Sequence, residues 1–502
     1  MPATTPTAPS TPRRRMLLAG IGLGTLAWHG ILPAQTGATA LPAVWRALSR
    51  LGYGPTPALL DSAQATGARA WALQQLTLAR AASQQAPTIP APYAHIQSPL
   101  PAIFEGARRE REVRAQRKDS GQDKPENPPR IELLDPSDPY TYSAAQAQAA
   151  AAWRLTSCAD PAMENPLLAR MTEFWFNHFN VYVGKGAVRP FVGHYLVHVA
   201  RAHALGKFED LVLASARHPA MLHYLDQWQS VADGTRAGDG KTRGLNENYA
   251  RELMELHTLG VHGGYTQTDV RELARILTGW TIGPQASDGF RFAPRAHDEG
   301  SKTLLGQRYG NSIYSSGERE GIDAILALAR HPSTAQRVCL RLAQFFVADN
   351  PPSALVQRLA RRFTDTQGDI FQVLQALLQS DEFWSSDNRL FKTPMDFACS
   401  VLAATQATSD PRALVQTASF LNQAGQPLHG WQTPDGYAFD AATWRVPEAL
   451  TRRADFALQM ARHSDTRFLL PFLSAQTVQS ITQERAALHS GLILASPEFQ
   501  WK

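Results

Sequence analysis

The sequence predicts an all-α protein: a multi-helix, bundle-like domain with one small irregular or β patch near 283–311. Three observations carry this. First, apolar residues recur at helical spacing through most of the chain, as in "DIFQVLQALLQSDEFW" and "PMDFACSVLAATQAT". Second, several helices close in a similar way, on a small or polar cap followed by Pro or an acidic residue: "LASARHPAM", "LALARHPST", "LLQSDEFW", "LILASPEFQ". Their spacings are irregular, so this is recurrent helix-turn-helix grammar and not a solenoid. Third, composition fits. The 502 residues are 44% hydrophobic, enough for one large core or two to three ordinary ones, and only 19% charged.

Taken in order, residues 1–40 read as a signal peptide. "TPRRRMLLAGIGLGTLAWHGILPAQTGATALPA" has a basic start, a modest apolar run from Met16 to about Leu32 and a small-residue site at Ala38-Thr39-Ala40. The run is short and glycine-rich for a span of about twenty residues. A cleaved signal is therefore expected, leaving no stable membrane span. Arg13, Arg14 and Arg15 followed by Met16 and Leu17 resemble the twin-arginine type. Pro12 stands where Ser or Thr is usual, and Leu18 replaces the frequent Lys. The expected location is periplasmic or otherwise exported. Removing those three charges from the formal +5 leaves +2, so a nucleic-acid partner has no electrostatic support. The three cysteines, Cys158, Cys339 and Cys399, cannot all pair within one chain. One disulfide fits an oxidising compartment, and the spacing does not choose the pair.

Residues 41–80 read as N-terminal helices of the main domain, flanking the turn "GYGPTP". Residues 81–142 read as a mobile, proline- and charge-rich insert with one charged helix near Ile103–Gln116. The main helical domain is expected over 143–502.

The chemistry concentrates in "GLNENYARELMELHTLG". At helical spacing Asn248, Glu252 and Glu255 share a stripe beside the core face. Two carboxylates that close cannot both be ionised and dry without a cation or strong donors. Either a metal sits there or arginine and amide donors do, and Arg271 or Arg275 of the next helix could supply them. "MTEFWFNHFNV" repeats the pattern with Glu173, Asn177 and Asn180 beside Trp175 and His178. Neither helix holds the Glu-x-x-His of di-metal bundles, and a buried hydrogen-bond network is the competing reading. "GYTQTDVRELARILTGW" starts on Thr266 with Asp269 as a capping-box partner. His297, Asp298 and Lys302 share a loop, where a His-Asp pair suits acid–base or ligand duty. His194 and His198 stand at i, i+4 without the Glu of a zinc-protease helix.

"FWFNHFNV", "HPAMLHYLD", "GLNENYARELMELHTLGVHGGYTQTDVRELARILTGW", "HDEGSKTLLGQ" and "SPEFQ" together resemble domain of unknown function 1800, a bacterial family of exported, largely helical proteins. The resemblance runs from about Leu41 onward and is weakest over the insert. It carries motif positions onto Trp175, Asn177, His178, Asn246, Glu247, Asn248, Arg251, Glu252, Glu255, His257, Gly263, Gly264, Thr278, Gly279, Trp280, His297 and Asp298, with no agreed catalytic role. It also implies a partner from the exported domain of unknown function 1501 family, whose fold is alkaline-phosphatase-like or sulfatase-like.

Two functions fit this reading. One is a metal-dependent or carboxylate-based extracytoplasmic enzyme. In it Glu252 and Glu255 bind a divalent metal or act as base, His178 or His297 is ligand or acid/base, Asp298 completes the loop pair, and Arg251 orients an anionic group. The other is a non-enzymatic binding or assembly factor working with a secreted partner.

Overall fold

Each "RHP" phrase does the same local job. His218 accepts the Ala220 N–H at 3.1 Å and His331 accepts the Ser333 N–H at 3.2 Å, so each histidine caps a helix whose first residue is proline. Thr266 and Asp269 form the expected capping box. Thr393 and Asp396 form a second one.

The computed structural model describes residues 43–119, 134–235, 244–310 and 316–502. The signal-peptide reading of 1–40 lies outside the described residues. Among them the chain is nearly all α, with twenty-two α-helices and two antiparallel two-stranded pieces. Trp280–Ile282 pairs with Phe290–Phe292, and Lys302–Leu304 with Gln307–Tyr309. These strands form the β patch expected near 283–311. No helix among the described residues is long and apolar enough to cross a membrane.

The stretch read as a mobile insert is packed where it is described. Its helix runs Leu100–Asp119, longer than expected, and buries Leu100, Ile103, Ala107 and Glu110. Glu110 accepts the Ser143 N–H at 3.1 Å, which ties this helix to the start of helix Tyr142–Ala159. Four apolar or matched positions on one face are enough to dock a helix whose other faces are charged.

One hydrophobic core runs from Trp45 to Phe499. Trp45, Trp71, Trp153, Trp175 and Trp280 are fully buried. Cys158 and Cys399 form a disulfide between helices Tyr142–Ala159 and Pro394–Thr405, and Cys339 is a buried free thiol. Deep in the core Asp396 pairs with Arg170 and Lys502. Arg170 also lies over the Tyr53 and Phe345 rings, 4.7 and 4.2 Å from their centres. Charges this buried are retained only with partners. The cluster thereby joins helix Pro166–His178 to helix Pro394–Thr405 and to the C-terminal residues.

Candidate functional site

Helix Glu247–Glu252 begins on Asn246, whose side chain accepts the Asn248 N–H at 2.9 Å. From Leu253 to His257 the backbone is π-helical. Such short π segments sit disproportionately at functional sites. The segment closes when Thr258 Oγ1 donates to Leu253 O at 2.6 Å and Gly260 N donates to Met254 O at 3.1 Å.

Glu252 and Glu255 flank this change of helix type and are both half-buried. Tyr265 Oη donates to Glu255 Oε2 at 3.3 Å. Glu252 has no hydrogen-bond or ion-pair partner among the described residues. Burial first, and then the like charge of Glu255, raise its pKa above the ordinary carboxylate value. Arg251 opposes the shift and Asp435 adds to it.

Asp435 comes from the loop 431–437, which the second sequence stripe positions. Asn177 Nδ2 donates to Tyr437 O at 2.9 Å and Asn177 Oδ1 accepts the Tyr437 N–H at 2.7 Å. Asn180 Nδ2 donates to Trp431 O at 3.1 Å and Thr433 O at 2.8 Å. Gly436 has φ 74°, and a Cβ there would lie 2.1 Å from Asn177 O, so only glycine fits. Within the loop, Trp431 Nε1 and Thr433 Oγ1 donate to Asp435 Oδ1 at 2.8 and 2.6 Å. Glu173, the third member of that stripe, is turned elsewhere and pairs with Arg154.

His178 Nε2 lies 3.0 Å from His257 O and donates to it, which joins the two helices singled out in the sequence. His178 Nδ1 and His257 Nε2 are buried without partners. Burial, then the charges of Arg341 and Arg337, hold the His178 pKa well below its ordinary value. The same three causes push His257 down to about 3, with Arg337 ahead of Arg341. Both imidazoles are therefore neutral.

The arginines beside this site are not those expected. Arg271 pairs with Asp233 at 3.0 Å, and Arg275 pairs with Asp298 and Glu272, each at 2.8 Å. Arg337 and Arg341 of helix Pro332–Phe346 take their place. Arg337 Nε donates to Leu256 O at 2.9 Å. Arg341 Nε is buried without a partner, and its guanidinium sits 5.2 Å from the centre of the Phe439 ring. Burial, then the charge of Arg337, push the Arg341 pKa down to about 10. The signal for this pair was present as two arginines at i, i+4 in the mostly apolar "RVCLRLAQFF". The loop aspartate Asp435 had no comparable signal.

The elements that build this cluster all lie inside one family match. The model described as "Protein of unknown function (DUF1800)" matches residues 46–501. The chain belongs to this family. No curated protein and no solved structure matches it.

Several of the remaining sequence-predicted residues of this DUF1800 chain have their bonded partners outside the Glu252 cluster. Arg251 is directed at Gln267 Oε1, 2.9 Å away, and at Glu247, 3.6 Å away. His297 Nδ1 lies 2.9 Å from Thr278 O, and its Nε2 lies 3.3 Å from Lys302 Nζ and 3.5 Å from Glu320 Oε2. Asp298 is held by Arg275 and accepts the Gly300 N–H at 2.8 Å. The His297-Asp298 pair thus clamps the β patch to its neighbours, with bonded partners that belong to a separate cluster. His194 Nδ1 lies 3.0 Å from His218 Nε2. Since His218 Nδ1 accepts the Ala220 N–H, its Nε2 carries the proton and donates to His194. His178 faces the two arginines and His257. Among the described residues no group of three or more His, Cys, Asp and Glu side chains is arranged to hold a metal ion.

Proposed function

We propose that this DUF1800 member is an exported enzyme using carboxylate-based acid–base chemistry, with Glu252 as the group that holds and moves the proton. The observation that carries this reading is the position of Glu252. It is half-buried and unbonded at the start of a π segment, with two further carboxylates acting on it. A carboxyl group whose pKa is raised above the ordinary carboxylate value suits a general acid or base. Burial and then Glu255 favour its protonated form, Tyr265 orients Glu255, and Asn177 and Asn180 hold the loop that carries Asp435. The Cys158–Cys399 disulfide supports export, because disulfides persist in oxidising compartments.

A divalent cation between Glu252 and Glu255 would use the same two groups differently, as ligands. A binding or assembly factor acting with a secreted partner, the 1501 family included, would use them only as structure.

The test is a hydrolytic screen of the purified mature chain, with and without added divalent metal, on carboxylic, phosphoric, sulfuric and glycosidic ester chromogens. Turnover that Glu252→Gln lowers by about a hundredfold or more supports the reading. Turnover that survives in Glu252→Gln overturns it. Turnover that appears only with bound metal assigns Glu252 as a ligand.

A further inference from the structure

Helix Pro332–Phe346 presents Arg337 and Arg341 one turn apart toward the Leu253–His257 segment. Neither guanidinium forms an ion pair among the described residues. Arg341 Nε is buried and unpartnered, and the terminal nitrogens of both half-buried arginines form no hydrogen bond among the described residues. A guanidinium recessed this way has given up part of its hydration without gaining a carboxylate, which costs several kcal/mol for a fully dry ion. The neighbouring histidines cannot compensate, being neutral with orphaned nitrogens.

Two guanidinium forks with unbonded terminal nitrogens, one turn apart on one helix, match an oxyanion, which each can bind through paired N–H donors. Two carboxylates limit what can enter. Glu255 acts electrostatically on Arg337, and Asp435 acts on Arg341. They disfavour a multiply charged anion and leave acceptor oxygens for donor groups on the rest of a ligand.

We propose that Arg337 and Arg341 form the binding subsite for the oxyanion of a singly charged, hydroxyl-rich ligand, whose hydroxyl groups donate to Glu255 and Asp435. This deepens the acid–base reading, since a ligand so held lies beside Glu252, and it rests on that reading for its role in turnover. Arg337 and Arg341 thereby take the anion-orienting role that the sequence assigned to Arg251.

The test is titration of the full mature chain with glucuronate, followed at the arginine Nε–H resonances and by the Tm. Inorganic phosphate serves as the bare oxyanion and glucose as the neutral control. Saturable glucuronate shifts at Arg341 with a rising Tm are expected, weakened about tenfold or more by Arg341→Met and by Arg337→Met. Glucose should leave the spectrum unchanged. Phosphate alone moving the same resonances would keep the subsite and remove the hydroxyl contacts. Resonances unmoved by either anion, binding unchanged in both variants, or glucose binding as well as glucuronate would each overturn the proposal. If a variant fails to fold, the wild-type resonances still decide.

Glu252→Gln is titrated alongside. Retained glucuronate binding with unchanged turnover leaves the subsite standing and removes the acid–base reading. Absent anion binding with Glu252-dependent turnover does the reverse.

Discussion

Glu252 shows what a single position can decide. Its folded pKa is raised by burial and by Glu255, so the folded chain holds this proton to higher pH than the unfolded chain does. Below about pH 4 both states are protonated and the group is neutral to stability. As pH rises through the folded pKa, the cost of ionising it in place is felt in full. Glu252→Gln is therefore expected to raise the Tm at neutral pH, with the gain fading as the pH is lowered toward about 4. Paired thermal melts across that range check this. A difference that is constant or of opposite sign would mean a partner holds Glu252 in its charged form. The two glutamates were legible in the sequence because helical spacing puts them on one stripe. The arginine that acts on that stripe was not, because Arg337 reaches Glu255 from a helix some eighty residues later, and no local period links the two.

Elements decide how the second stripe is used. Helical spacing placed Glu173, Asn177 and Asn180 together as a second stripe of the Glu252 pattern. The two helices meet through His178 and the His257 carbonyl. The two amides turn to loop 431–437, where they satisfy backbone groups that no sheet or helix would serve. Asn177→Ala leaves the Tyr437 N–H and C=O without their partner, and a loss of about 1–3 kcal/mol is expected. Hydrogen exchange in 431–437 should quicken while helix Pro166–His178 stays protected. Unchanged exchange in that loop would show that Asn177 does not anchor it. The capping rules fared better. "RHP" and "TQTD" announce helix starts because a cap bonds backbone groups within three residues of itself, and no distant element is needed.

At the scale of the whole molecule, burial of neutral histidines sets the response to acid. Burial comes first in lowering His178, His194, His218, His257 and His429, with His194 and His257 down to about 3. In the unfolded chain each protonates near pH 6.5. The unfolded state thus binds more protons, and stability falls as the pH drops below about 6.5 and on toward the folded values. Urea unfolding at about pH 7.5 and about pH 5 should show this loss, with net proton uptake on unfolding at the lower pH. Equal stability at the two values would place these side chains in contact with solvent. Acid sensitivity of this kind follows from a core large enough to close over polar rings, and the sequence shows only that fifteen histidines exist.

By itself, the sequence determined the all-α class, the β patch, the helix starts, the family and the Glu252-Glu255 stripe. Each rests on interactions within a few residues or on a pattern spread along the whole chain. The tertiary structure alone decided that Cys158 pairs with Cys399, that His297 and Asp298 belong to a separate cluster, that Asp435 acts on Glu252, and that Arg337 and Arg341 stand near Glu255 and Asp435. Those outcomes depend on which helix faces which across the core. That choice is made by the packing of all the helices together, and no local spacing encodes it.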